Sequence, residues 1–478
     1  MKNNSLKKDL FIIILFFIFA VLYITGTDAY AQKNSFKDRS GNIITVKTPF
    51  KRIISLYGAH TENLFSLGLD KEIIGVSGHE AFPPPVISKP VFSYHDDTEK
   101  FISANPDLIL IRPMIAKGYP NFVAKLQRAG ITVVSLQPRT VNEMYSYWKR
   151  LGLLTGRESR ANEMIRDFKA GLERIKRLTK DIPLHKRKRV FLESIHSRMK
   201  TFSPDSIAMF ALKTAGGINI AQDAKAHRNT NIASYSKEKI LSHADEIDVY
   251  IAQRGAMNHI TVRRIKEEPG FAAIKAVKNG QIYIVDEKII SRPTMRLIDG
   301  IYEIGRILYP ARFNDISRFI KLPVITRADF AEMFVKMMNI RLKTPSYRHD
   351  IQKRPDEKHK YGEFKDVDYM GNRYKFIETA VYRGIFPNIN KYRFYPDMPL
   401  KRQTLAFAIF MYFDLPDTKP VRIRDVSADA PFFDQIQTVV GLGIMNLDKN
   451  GRFNPAKPLS GMEVSRILKL AKEKSMKP

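Results

Sequence analysis

The sequence predicts an α/β protein of two lobes joined by a long helix, with a cleft between the lobes and an all-α repeat domain after them. Three observations carry that prediction. Short apolar runs alternate with amphipathic stretches through residues 36–312, the pattern of buried, mostly parallel strands layered with helices. A proline-free apolar period over residues 140–178 separates two such blocks. Past Pro310 the texture changes and six residues recur at one fixed offset. With 478 residues, the chain exceeds one compact domain and has ample length for several cores.

Taken in order, the N-terminus carries Lys7 and Lys8, an apolar run from Leu10 to Ile24, and then Asp28-Ala29-Tyr30-Ala31. Small residues at Ala29 and Ala31 fit an A-x-A cleavage site, so residues 1–31 read as a secretory signal peptide, with an uncleaved anchor as the alternative. The chain has no cysteine, which excludes a lipid-modified cysteine, disulfides, thiolate metal sites and cysteine nucleophiles. The expected location is across the inner membrane, in the periplasm or cell envelope. The formal net charge of +30 is spread along the chain, with Lys186-Arg187-Lys188-Arg189 the one dense run. Such a surface suits an anionic partner, and no finger, RNP-type or basic-zipper signature accompanies it, so nucleic acid is not expected.

The first lobe, residues 36–139, has strand-like runs at 43–46, 52–56, 73–76, 108–111 and 133–136. The joining helix over 140–178 has possible breaks at Gly152 or Gly156, and Trp148 lies on its apolar stripe, where a core role is expected. The second lobe, residues 188–312, has strands at 190–193, 249–252 and 281–285, helices at 204–215 and 297–308, and a Gly216-Gly217 turn. In such sheets ligands bind at the carboxyl ends of the strands. The C-terminal region, 324–478, divides into a partial copy at 324–342 and fuller copies at 364–414 and 423–474. Asp366, Gly384, Phe394, Pro396, Pro399 and Leu400 recur 59 residues later as Asp425, Gly443, Phe453, Pro455, Pro458 and Leu459. The charged, proline-containing segment 344–360 reads as a linker.

Several motifs carry a resemblance. Phe36-Lys37-Asp38 with Gly41, Lys51-Arg52-Ile53-Ile54-Ser55-Leu56, Thr61-Glu62, Leu67-Gly68, Asn105-Pro106-Asp107-Leu108-Ile109, Gly216-Gly217-Ile218-Asn219 and Ala276-Val277-Lys278-Asn279-Gly280 occur in order. With Tyr309-Pro310, they resemble the class III periplasmic binding proteins that serve ABC importers of ferric siderophores, haem and vitamin B12. Residues 324–474 resemble S-layer homology repeats, whose binding signature is Thr-Arg-Ala-Glu at a helix start. Thr326-Arg327-Ala328-Asp329 nearly keeps it, Lys401-Arg402-Gln403-Thr404 half keeps it, and Ser460-Gly461-Met462-Glu463 largely loses it.

The resemblance implies two Rossmann-like lobes, no catalysis, and no cofactor beyond iron carried within a bound chelate. It implies permease docking through Glu99 and Glu238, one on each lobe, and envelope-polymer binding through Thr326, Arg327, Lys401 and Arg402. Each docking glutamate also sits near a helix start, where the dipole favours a carboxylate. Ligand contacts are expected from Tyr57, His60, His79, Tyr94 and Arg112 on the first lobe and His196, Lys200 and Arg292 on the second. Thr61 reads as a helix N-cap with Tyr57 and His60 ahead of it. Arginines suit carboxylate or catecholate oxygens, which places a ferric siderophore ahead of haem or cobalamin.

A bare metal ion is a further candidate through His60, His79, His95, Asp96, Glu193 and His196, although no spacing brings these residues together, so no metal site is expected. The expected function is an extracytoplasmic solute-binding protein that delivers an iron chelate to an ABC permease, with repeats attached to a cell-wall or envelope polymer. An envelope-anchored structural or adhesive protein without transport is the alternative. Ser203-Pro204-Asp205-Ser206 lacks nucleophile-elbow spacing, so hydrolysis is disfavoured.

Overall fold

The computed structural model describes residues 34–78, 80, 82–226, 230–343, 364–369, 371–387, 390 and 392–476. The expected signal peptide, the linker 344–360 and His79 lie outside the described residues. The chain divides into two compact units, one formed by residues through Gly78 with Ser88–Lys169, the other by His79–Ile87 with Ala170–Pro478.

In the first unit a hairpin of β1 (Ser35–Lys37) and β2 (Ile43–Thr45) precedes a four-stranded parallel sheet. That sheet comprises β3 (Ile53–Ser55), β4 (Ile73–Val76), β5 (Leu108–Ile111) and β6 (Thr132–Ser135), in the order β4-β3-β5-β6. Strands β3 and β5 are wholly buried, which is why their sequences are continuous apolar runs without alternation. Two motifs of the sequence lock the amino ends of these strands. The Asp107 carboxylate accepts the backbone N–H of Lys51 (2.7 Å) and Arg52 (2.9 Å), and the Arg52 guanidinium donates to the carbonyls of Asn105 and Ala104 (both 2.7 Å).

The helix expected over 140–178 breaks at Gly156, one of the two positions foreseen, into α3 (Val141–Thr155) and α4 (Glu158–Thr179), numbered after α1 (Gly58–Ser66) and α2 (Thr98–Ser103). Gly156 adopts φ 65°, a left-handed stop that glycine takes without a Cβ penalty. Thr140 caps α3 by accepting the N–H of Glu143. Trp148 is fully buried against Phe168, with ring centroids 5.4 Å apart, a core role as its position on the stripe predicts.

The sheet of the second unit is mixed. It holds β7 (Arg189–Ile195), β8 (Lys200–Phe202), β9 (Ile218–Asn219), β10 (Ile232–Ser234), β11 (Val249–Arg254) and β12 (Ile282–Asp286), in the order β10-β8-β7-β11-β12 with β9 also on β7. Strands β7, β9, β11 and β12 pair in parallel, whereas β8 is antiparallel to both of its neighbours, β7 and β10, so that β10 again runs in the direction of β7. The expectation of mostly parallel strands holds, with β8 the one reversed strand of this sheet. The reversal occurs at Met199, which takes φ 45° and turns the chain back after β7. Helices α5 (Ile207–Thr214), α6 (Lys237–Ser242) and α7 (Leu297–Leu308) follow. The Tyr309 hydroxyl donates to the carbonyl of Gly216 (2.9 Å) and accepts the N–H of Lys188 (3.0 Å), tying the glycine turn to the end of α7.

The repeats contribute α8 (Arg327–Met337), α9 (Tyr374–Tyr382), α10 (Arg402–Tyr412), α11 (Phe433–Gly441) and α12 (Gly461–Lys474). Their internal symmetry is visible in hydrogen bonds. Asp366 accepts the N–H of Phe394 (2.9 Å) and Tyr395 (2.8 Å), as Asp425 does for Phe453 and Asn454 (both 2.7 Å). The segments ahead of α8, α10 and α12 close a ring: Ile325 N–H donates to Leu459, Leu459 to Leu400, and Leu400 to Ile325. The copy starting at Ile325 is therefore a full member of a three-part ring. Gly461 stands where the other two copies have arginine, because a Cβ there would lie 1.7 Å from the carbonyl oxygen of Phe319.

The repeats pack on α7. The buried Arg306 guanidinium donates to the Ile340 carbonyl (2.9 Å), Asn314 Oδ1 (2.8 Å) and Asn339 Oδ1 (3.3 Å), and faces Glu303 at 3.4 Å. Lys375 at the start of α9 pairs with Asp299, and Tyr302 meets Phe376 edge-on. Removing one partner of a buried ion pair strands the other charge. Arg306→Ala should therefore destabilise the second unit by about 3–5 kcal/mol in urea unfolding. Arg318→Ala, a largely exposed partner of Glu332, should shift it by less than about 1 kcal/mol.

Candidate functional site

In the first unit the chain leaves β3 through Tyr57, which occupies the N-cap position of α1 in an extended conformation without a side-chain cap. The helix thus begins earlier than expected, and Thr61 is not its cap. Its hydroxyl sits 2.8 Å from Ser55 Oγ in the interior. His60 is also inside α1 and fully buried, with Nδ1 2.7 Å from the Tyr147 hydroxyl and Nε2 3.2 Å from the Ile111 carbonyl. Burial drives its pKa down to about 3, so it is a neutral core imidazole and the expectation of a ligand contact is corrected.

Arg112 directly follows β5, at the carboxyl end of a central strand. Its guanidinium stacks 4.8 Å over the Tyr57 ring, and Nη2 donates to Met114 Sδ at 3.0 Å. Its Nε is buried and has no hydrogen-bond partner among the described residues. Buried donors are almost always paired, so this N–H is a donor awaiting an acceptor. Tyr94 is half-buried in a cluster with His95 (4.3 Å) and Tyr119 (4.9 Å). The His95-Asp96-Asp97 stretch is a turn, in which Asp96 accepts the N–H of Ser93 and pairs with Lys100. Glu99 is exposed in the first turn of α2.

In the second unit, His196 ends β7 and is only 3% exposed. Its Nδ1 hydrogen-bonds Glu193 at 2.8 Å, and its Nε2 lies 3.4 Å from the Glu268 carboxylate, which pairs in turn with Lys237. Glu193 also accepts from Tyr250 and Asn258. Burial lowers the His196 pKa, but hydrogen bonding and charge from Glu193 and Glu268 outweigh it and hold the group above its usual value. His196 is thus held through Nδ1 in an internal network, while its buried Nε2 has no hydrogen-bond partner among the described residues. Lys200 is half-exposed and donates to Ser234 Oγ at 2.6 Å. Glu238 is exposed in the first turn of α6, where a hydrogen bond with Ser236 lowers its pKa.

At the end of β12 the second unit gathers charge that single-residue reasoning did not isolate. Lys288 is 3% exposed, and burial lowers its pKa against the pull of Asp286. Arg292 faces Glu80 at 3.4 Å and Glu287 at 4.0 Å, and Arg296 covers the Phe82 ring at 4.1 Å. The sequence held a weak signal for this cluster, since Arg292 is among the expected ligand contacts and follows β12. Among the described residues no group of three or more histidine or acidic side chains is arranged to hold a metal ion.

In the repeats, Thr326 caps α8, accepting the N–H of Asp329 at 3.1 Å. The guanidinium of Arg327 donates Nε–H to the Phe394 carbonyl (2.8 Å) between the rings of Phe386 and Phe394, and burial lowers its pKa to about 10. Arg402 repeats the arrangement on Phe453 and its carbonyl (2.8 Å). Arg327 and the exposed Lys401 line one cavity of about 400 Å³, and Arg402 lines a second of about 290 Å³.

The two buried histidines predict pH responses of opposite sign. His60 stays neutral when folded but takes up a proton when unfolded, so first-unit stability falls below pH 6.5, by at most about 1.4 kcal/mol per unit down to about pH 3. His196 has a raised folded pKa, so its contribution is present in full below pH 6.5 and is lost as pH rises above that through the folded pKa. Denaturant titrations from pH 4 to 9 should show the acid slope flattened in His60→Gln and the alkaline loss flattened in His196→Gln.

Known proteins share these features. The periplasmic binding protein family matches residues 53–289, and S-layer homology domains match 363–406 and 422–465. An uncharacterized ABC transporter substrate-binding lipoprotein of Bacillus subtilis, YvrC, is 27% identical over 281 residues, covering 58% of this chain and 86% of that protein. A vitamin B12-binding protein of Vibrio cholerae is 23% identical over 258 residues, 54% of this chain and 88% of its own. A crystal structure of a possible iron-binding periplasmic solute-binding protein from Staphylococcus epidermidis is 30% identical, with a TM-score of 0.48 over 55% of this chain and 100% of its own. No helix among the described residues is long and apolar enough to cross a membrane.

Proposed function

This chain belongs to the periplasmic binding protein family and carries S-layer homology domains, and from that premise we propose that it is the extracytoplasmic solute receptor of an ABC importer for a metal chelate. A ferric siderophore is the leading ligand, with haem and cobalamin as the other members of the class. The observation that carries the reading is Arg112: a guanidinium at the carboxyl end of β5, stacked on Tyr57, with a buried Nε–H that lacks an acceptor among the described residues. A chelate oxygen supplies that acceptor through a charge-assisted hydrogen bond. Tyr94, half-buried in its aromatic cluster on the same unit, is proposed as a further contact.

Glu99 and Glu238 are proposed as docking residues, since both are exposed in helix first turns and free to meet cations on a permease. The repeats attach the receptor to an envelope polymer, with Arg327 and Arg402 held by aromatic rings and carbonyls among the residues that line the two cavities. The chemistry is capture and release without bond making.

Isothermal titration of the purified protein with ferrichrome, ferric enterobactin, haem and cyanocobalamin tests the reading. At least one should bind with micromolar or tighter affinity, and Arg112→Ala should weaken it about 10- to 100-fold, the worth of one charged hydrogen bond. Binding of none of the four contradicts the proposal. Exchanging Glu99 and Glu238 for arginine should abolish chelate uptake by cells while leaving the titration curve in place; unaltered uptake contradicts the docking assignment.

A further inference from the structure

The charge at the end of β12 is balanced by a residue from a distant part of the chain. Three cations cluster there, Lys288, Arg292 and Arg296, and Asp286 and Glu287 at the same strand end oppose them. A further carboxylate is Glu80, 3% exposed, whose Oε2 accepts from Arg292 Nη1 at 3.4 Å. It arrives on a segment that the repeat domain helps to hold. Phe82, 4% exposed, lies under the Arg296 guanidinium at 4.1 Å and meets Tyr374 at 6.0 Å and Tyr369 at 6.4 Å. Tyr374 is the first residue of α9, and its neighbour Lys375 is ion-paired to Asp299 on α7. The position of Glu80 is therefore set by the first full repeat as well as by the lobe.

Resting on the transport reading above, we infer that Glu80 is a specificity-determining residue that selects against anionic ligands, and that Tyr369 and Tyr374 of the repeats hold it in place. With Glu80 present, Arg292 is already neutralised. An anionic chelate has to displace a buried carboxylate to use that guanidinium, leaving a buried charge without its partner, whereas a neutral chelate leaves the pair intact. The repeats thereby acquire a second role: besides attachment, they shape the charge of the ligand site.

The test ranks neutral probes, ferrichrome and cyanocobalamin, against anionic ones, ferric enterobactin and haem with its two carboxylates, on the purified full chain. The wild-type protein should bind a neutral probe most tightly. Glu80→Gln, which keeps the shape and removes the charge, should move the ratio of best anionic to best neutral affinity at least tenfold toward the anion. The double variant Glu80→Gln with Arg292→Gln should restore the ratio, which general damage to the fold would not do. Tyr374→Ala should move it in the same direction as Glu80→Gln by a smaller factor.

An anionic probe binding tightest to the wild type, or a ratio unmoved in Glu80→Gln, overturns the assignment while the transport reading stands. If Glu80→Gln does not fold, the wild-type ranking alone decides. Binding of no probe removes the transport reading, and this assignment with it.

Discussion

The attachment of the repeats to α7 depends on one buried guanidinium. Arg306 spends its donors on Asn314, Asn339 and the Ile340 carbonyl and faces Glu303, whose carboxyl burial pushes upward against the pull of Arg306 and Arg341. Such a group has no acceptable unpaired state in the interior. The contact is therefore made completely or not at all, and it fixes α8 and α9 against the helix that closes the second lobe. Lys375 on Asp299, Tyr302 on Phe376 and the aromatic seat of Phe82 all follow from that placement.

The repeats are ordered from within by a second constraint, the ring of backbone hydrogen bonds among Ile325, Leu400 and Leu459. Each copy presents the start of its second helix to the next. In two of them an arginine reaches across to a Phe carbonyl, and in the third the backbone of Phe319 fills the space, so glycine replaces arginine. The progressive loss of the Thr-Arg-Ala-Glu signature along the chain thus has a steric cause at its last step. Attachment to the lobe occupies the position that a third arginine would have taken.

Much of this was legible in the sequence. The runs 73–76 and 108–111 and the period 297–308 are the observed elements to the residue, because apolar runs bounded by glycine, proline or charge have unambiguous ends. The repeat was legible for a similar reason: Asp366 and Asp425 each cap a turn that has no substitute. What escaped were pairings made over long separations. His60-Thr61-Glu62 looks like a polar surface turn, yet all three are buried, since a hydroxyl 87 residues away satisfies His60. His196 is held by Glu193 through one ring nitrogen, a pairing made possible by the turn that ends β7. Glu80 and Arg292 are 212 residues apart, and nothing local marks either as the other's partner. Local rules register polarity, whereas burial depends on what the fold brings alongside.

The claim on which the second role of the repeats depends is that the Glu80–Arg292 pair and the repeats belong to one folded body, the second unit. Hydrogen exchange of the full chain tests it most directly, with and without ferrichrome or cyanocobalamin, whichever binds, at about 100 times its Kd. Ligand binding to the native state adds about 2.7 kcal/mol of protection to every amide in the same cooperative unit. The account predicts that exchange in α9 of the repeats slows together with α7, each by about 100-fold. Slowing of α7 with α9 unchanged would contradict it, and would reduce the repeats to a passive tether.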